Sequence, residues 1–100
     1  MTKAELLKRL LEDLSRIYVQ GLYEFLYAYR PAMYRELVEL ETSIDEAYLN
    51  PETDLREFKQ LLRLYWAFHV KAAREFKTAK AGVLNLTFAR QRFEEERIKA

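Results

Sequence analysis

The stretch DLREFKQLLRLYWAFHVKAAREFKTAK, residues 54–80, decides the fold. Phe58, Leu61, Leu62, Tyr65, Phe68, Ala72, Phe76 and Ala79, with His69 among them, return at steps of one, three and four residues. That spacing puts them on one face of an α-helix. Asp54 with Glu57 three residues later forms a capping-box pattern, in which side chains satisfy backbone N–H groups orphaned at a helix start. Just upstream, Asn50-Pro51-Glu52-Thr53 is turn chemistry, with Asn50 placed to end one helix and Pro51 unable to continue it. Downstream, the apolar face runs to about Lys80, and Gly82 reads as a C-terminal stop.

Two further helical runs precede this one. Thr2 and Glu5 make a second capping-box pattern, and Leu7, Leu10, Leu11, Leu14, Ile17, Tyr18, Leu22, Phe25 and Tyr29 follow as one stripe. Gly21 lies on that stripe, where glycine costs about 1 kcal/mol relative to alanine but lets a neighbouring backbone approach. Pro31 interrupts the pattern, because it lacks an N–H and drives Arg30 away from helical dihedrals. Met33, Leu37, Leu40, Ile44 and Tyr48 then resume at three- and four-residue steps, so the alternatives are a new helix or one long helix kinked at Pro31. After Gly82, Val83 to Phe88 alternates briefly like a strand, while Leu86, Ala89 and Phe93 fit a short helix fraying across Glu94 to Ala100. The expectation is an all-α, single-domain bundle of three long helices plus a short C-terminal one. Its core would hold Leu11, Leu14, Tyr18, Phe25, Leu37, Ile44, Phe58, Leu62, Tyr65 and Phe76.

Composition narrows the chemistry. Half of the residues are hydrophobic and glycine and proline are scarce, which describes a chain able to offset the entropy of folding. With no cysteine there is neither a disulfide framework nor a thiolate metal site. With Gly21 and Gly82 isolated there is no phosphate-cradling loop or dinucleotide fingerprint. His69 is the sole histidine and Trp66 precedes it by three, so the Glu-x-x-His pairs of a helical di-iron site are missing. No cofactor and no metal is expected. The N-terminus passes directly into an amphipathic pattern carrying Glu5, Glu12 and Asp13, unlike a signal peptide. The longest nearly apolar stretch, Val19 to Tyr29, falls well short of the roughly 20 residues of a membrane-spanning helix. A soluble, cytoplasmic chain without a membrane partner is expected. Few asparagines and glutamines beside many arginines and glutamates point to a thermophilic source.

A net charge of +1 conceals a separation of charge. Residues 31–54 carry seven acids and one base, and residues 55–80 carry seven bases and two acids. On a helical projection Arg56, Lys59, Arg63, Arg74 and Lys77 cluster opposite the apolar face with Trp66 at the margin. Such a stripe is suited to phosphates, with Trp66 stacking on a base. It is equally suited to solvent, or to the acidic segment Glu36, Glu39, Glu41, Asp45 and Glu46 of the same chain or of a second copy. A near-neutral total favours the solvent or protein reading over a dedicated nucleic-acid binder.

The stretch Val19 to Tyr29 is apolar nearly all round, which is the mark of a helix buried all round. A small bundle rarely has enough helices for that, so Val19, Tyr23, Leu26 and Tyr27 are expected to meet another chain, unless the C-terminal segment covers them. Tyrosine offers broad contact area with a polar tip.

Arg63-Leu64-Tyr65-Trp66-Ala67-Phe68-His69 resembles the Arg-x(4 to 6)-His motif of the small helical HEPN ribonucleases, departing from many of them at Leu64, where they carry a polar residue. The resemblance implies RNA cleavage by paired motifs across a dimer, with His69 as acid or base and Arg63 holding phosphate. The bottom-up reading of the same histidine is a packed, hydrogen-bonded residue without chemistry. Taken together, the sequence reads as a non-enzymatic interaction protein, a homo-oligomer or a subunit with a helical protein partner. A nucleic-acid-binding accessory protein is the second reading and the ribonuclease the third.

Overall fold

The computed structural model describes the backbone of residues 1–99 and the side chains of residues 1–80. Helix formation follows the caps. Thr2 Oγ1 accepts the Glu5 N–H at 3.2 Å to start α1 (Lys3–Ile17), and Asp54 Oδ1 accepts the Glu57 N–H at 2.8 Å to start α4 (Leu55–Lys99). Between them lie α2 (Leu22–Tyr29) and α3 (Pro31–Leu49), and no strand is present among the described residues. The chain is all-α.

The expected first helix is in fact two. Gly21 adopts φ 86°, a left-handed conformation that glycine reaches without a steric penalty, and it forms the N-cap of α2 by accepting the Phe25 N–H at 3.0 Å. A Cβ built on Gly21 would meet Phe76 at an ordinary 3.7 Å, so the dihedral and not a close approach demands glycine there. Pro31 makes a clean break. Arg30 ends α2 and begins α3 at once, its N–H bonding Leu26 O at 2.8 Å and its carbonyl accepting the Tyr34 N–H at 3.0 Å, with Pro31 at the first helical position.

Gly82 stops nothing. Flanked by good helix formers and with no proline after it, it is carried through the 45 residues of α4, since glycine inside a helix costs about 1 kcal/mol. The short C-terminal helix expected around Leu86, Ala89 and Phe93 is the last part of α4, whose side chains there lie outside the described residues. At about 1.5 Å per residue α4 is roughly 67 Å long, which accounts for a molecule 72 Å in its longest dimension.

The first part of α4 is the spine on which α1, α2 and α3 pack. Phe58, Leu22, Leu26 and Leu37 are fully buried, with Ile44, Leu62, Tyr65 and Ala72 completing the centre. Leu14, Phe25 and Phe76 are half-buried against it. Leu11 and Tyr18 are corrections to the expected core, being 58% and 65% exposed. A helix packed mainly on one neighbour buries a narrow seam, and α1 turns Leu6 and Leu10 into that seam, leaving Leu11 on its flank; Tyr18 lies past the end of α1. Two basic residues fasten the ends. Lys3 Nζ donates to Ala47 O at 2.8 Å and Asn50 O at 2.7 Å, closing α1 onto the carbonyl end of α3. Arg30 Nε pairs with Glu75 Oε1 at 2.6 Å, tying the α2–α3 corner to α4.

Candidate functional site

Three features of the described residues qualify as sites: a polar cluster between helices, a basic groove and an aromatic surface. The polar cluster is built by one residue from each of three helices. Glu41 of α3 accepts two hydrogen bonds on Oε1, from the Tyr23 hydroxyl of α2 at 2.6 Å and the Tyr65 hydroxyl of α4 at 2.8 Å. The two phenol oxygens lie 3.1 Å apart. Burial, and then the donation to Glu41, push the Tyr23 phenol up to about 12. Burial likewise raises Tyr65, followed by its bonds to Tyr23 and Glu41. Both tyrosines therefore hold their protons at neutral pH and act as donors that lock α2 and α4 to α3.

His69 packs beside this cluster, its ring 5.8 Å from that of Tyr65 and 6.5 Å from that of Tyr23 between centroids. It is 4% exposed, and neither ring nitrogen has a hydrogen-bond partner among the described residues. The imidazole is packed as expected but not hydrogen-bonded as expected. Arg63, by contrast, is exposed. Six helical positions separate the two residues by about 120° around the axis, so α4 turns Arg63 to solvent while His69 is covered by Tyr23 and Tyr65. An acid or base in phosphodiester cleavage must reach its substrate, and the structure brings Arg63 and His69 to no common surface.

Burial lowers the His69 pKa from 6.5, and the Glu41 charge opposes the shift more weakly. The unfolded chain then takes up this proton more readily than the folded one, so the His69 contribution to stability is complete above pH 6.5 and is lost as pH falls toward the lowered folded value. Denaturant melts between pH 7.5 and pH 5 are expected to lose stability on the acid side. His69→Leu, which removes both unpartnered nitrogens, is expected to flatten that loss and to raise stability at neutral pH by about 1 kcal/mol. An unchanged pH profile in His69→Leu would show that the imidazole is not the sensor.

The basic stripe is exposed at Arg56, Lys59, Arg63, Arg74 and Lys77, with Trp66 half-buried beside it. Its first part borders a groove of about 490 Å³ between α1 and α4, lined by Arg9, Asp13, Lys59, Arg63 and Trp66 together with Leu6, Leu10 and Leu62. Arg9 was not foreseen as a partner of the stripe, since nothing in the spacing of one helix tells which residue of another it will face.

Of the four residues expected at an aromatic interface, Tyr27 is 70% exposed and Val19 is partly exposed. Leu26 is fully buried and Tyr23 is half-buried with its hydroxyl engaged, because α3 and α4 together cover that side of α2. The exposed aromatics among the described residues are Tyr18, Tyr27, Tyr29 and Tyr48, of which Tyr29 borders an apolar groove of about 460 Å³ formed with Phe25, Phe76 and Ala79. Among the described residues no helix is long and apolar enough to cross a membrane, and no group of three or more acidic or histidine side chains is placed to hold a metal ion. Comparison of the chain with protein-family models, with curated proteins and with solved structures finds no match.

Proposed function

We propose that this protein works by association, as a homo-oligomeric helical subunit or adaptor, and not by catalysis. The observation that carries this reading is surface area. The chain exposes 8003 Å², where a compact monomer of its 12.0 kDa exposes roughly 6,000 Å². The excess of roughly 2,000 Å² exceeds the roughly 800 Å² that each partner contributes to a stable protein interface. α4, at 45 residues, is longer than the 15, 8 and 19 residues of the helices packed on it. Exposed Tyr18, Tyr27 and Tyr29 supply the apolar contact area such a subunit needs, and the stripe on α4 supplies charge.

Light scattering on the eluting protein is expected to give a mass at least twice the 12.0 kDa of one chain at concentrations of about 100 µM, within the range of ordinary protein association. A strict monomer at about 1 mM would remove the reading. Nucleic-acid binding is the second reading, favoured by the convergence of Arg9 with Lys59, Arg63 and Trp66 on one groove.

A further inference from the structure

The acidic and basic segments do not neutralise each other inside the chain. The salt bridges among the described residues are Arg16 with Asp13 and Arg30 with Glu75. Glu36, Glu39, Asp45 and Glu46 of α3 are exposed and lack an ion pair among those residues, and the same holds for Arg56, Lys59, Arg63, Arg74 and Lys77 of α4. α3 and α4 pack against each other through their apolar faces, so their charged faces both look outward. Arg35 is also exposed on α3, so that surface carries four acids and one base, and the protein presents two outward surfaces of opposite net sign.

We infer that these two surfaces join copies of the chain: the outward acidic face of α3 in one copy seats on the outward basic face of α4 in the other. This rests on the association reading above and names its partner and its faces. A closed two-fold pair satisfies both contacts at once, because each copy offers one face of each sign. The spacing matches. Glu39 and Glu46 are seven residues apart, as are Arg56 and Arg63, so each pair spans two turns, about 10.5 Å. Arg9 and Trp66 flank the same groove, adding a cation and an aromatic wall for the incoming helix. A nucleic acid in the groove would engage its cations alone and leave the carboxylates of α3 unpaired. A second copy of α3 uses both surfaces.

The test uses the full chain with charges reversed on one face at a time. Lys59→Glu with Arg63→Glu makes one variant, and Glu39→Lys with Glu46→Lys makes the other. Circular dichroism confirms that each is folded, since all four side chains are exposed. Each variant alone is expected to bind itself roughly 100-fold more weakly than wild type, and an equimolar mixture of the two is expected to restore the pair, because both of its contacts then join opposite signs. The wild-type pair is expected to weaken as salt is raised from about 50 mM to 500 mM. Variants that self-associate like wild type overturn the charged contact and leave the association reading standing. A wild type that is monomeric at every concentration overturns both. Oligomerisation untouched by the reversals, together with a low-salt gel shift of single-stranded RNA that the Lys59/Arg63 variant abolishes, assigns the groove to nucleic acid and overturns the inference.

Discussion

Phe58→Ala is expected to lower the unfolding free energy by about 3–5 kcal/mol, the range for removing a buried aromatic ring. Phe58 is completely buried, and its backbone N–H bonds Asp54 O at 3.1 Å, so the ring enters the core within the first turn of α4. There it meets Tyr48 of α3 with centroids 6.2 Å apart, and Lys3 Nζ lies 5.9 Å from its centroid. Truncation leaves a cavity where α1, α3 and α4 converge, and loosens the support beneath the Lys3 clamp. Against a total stability of about 5–15 kcal/mol for a domain, the loss is a large share. Urea melts measure it, with Leu64→Ala as a control that is expected to stay within about 0.5 kcal/mol because this leucine is mostly solvent-exposed. Equal midpoints for the two variants would mean that the ring does not occupy the packed centre.

Glu41→Ala is expected to cost about 3 kcal/mol, since a hydrogen bond to a charged group contributes about 1.5–3 kcal/mol and Glu41 accepts two. The loss arises at the phenols. Without the carboxylate, the Tyr23 and Tyr65 hydroxyls have only each other, and two hydroxyls 3.1 Å apart can share one hydrogen bond. Glu41→Gln keeps an acceptor oxygen and is expected to lose about half as much. Glu39→Ala, on the exposed side of the same helix, is expected to change stability by less than about 0.5 kcal/mol. If Glu41→Ala were as mild as Glu39→Ala, the three-helix polar junction would have no energetic weight.

That contrast between Glu39 and Glu41 shows where reading residues in order runs out. Both were assigned to one acidic segment, because a count of charges along the chain does not resolve which carboxylate a neighbouring helix will cover. The interruption at Gly21 is hidden in the sequence for a related reason. An apolar stripe at helical spacing persists across Tyr18 to Leu22 whether the backbone continues or turns, and the positive φ of Gly21 becomes visible only in three dimensions. Gly82 misleads in the opposite direction, since a glycine without a following proline is a weak stop. Leu26 and Tyr23 read as interface residues on a count of helices too few to cover α2, yet α3 and α4 both lie against it.

The order of residues by itself determined the helical class, the caps at Thr2 and Asp54, an interruption of the pattern at Pro31 and the burial of Leu37, Ile44, Phe58, Leu62 and Tyr65. These follow from local dihedral preferences and from a periodicity that water enforces on each helix separately. Tertiary structure alone decided that Glu41 binds two tyrosines, that His69 is buried beside Tyr23 and Tyr65, and that Arg9 joins the basic stripe. Each of these depends on which faces of different helices meet, and that choice is made by packing the whole chain at once.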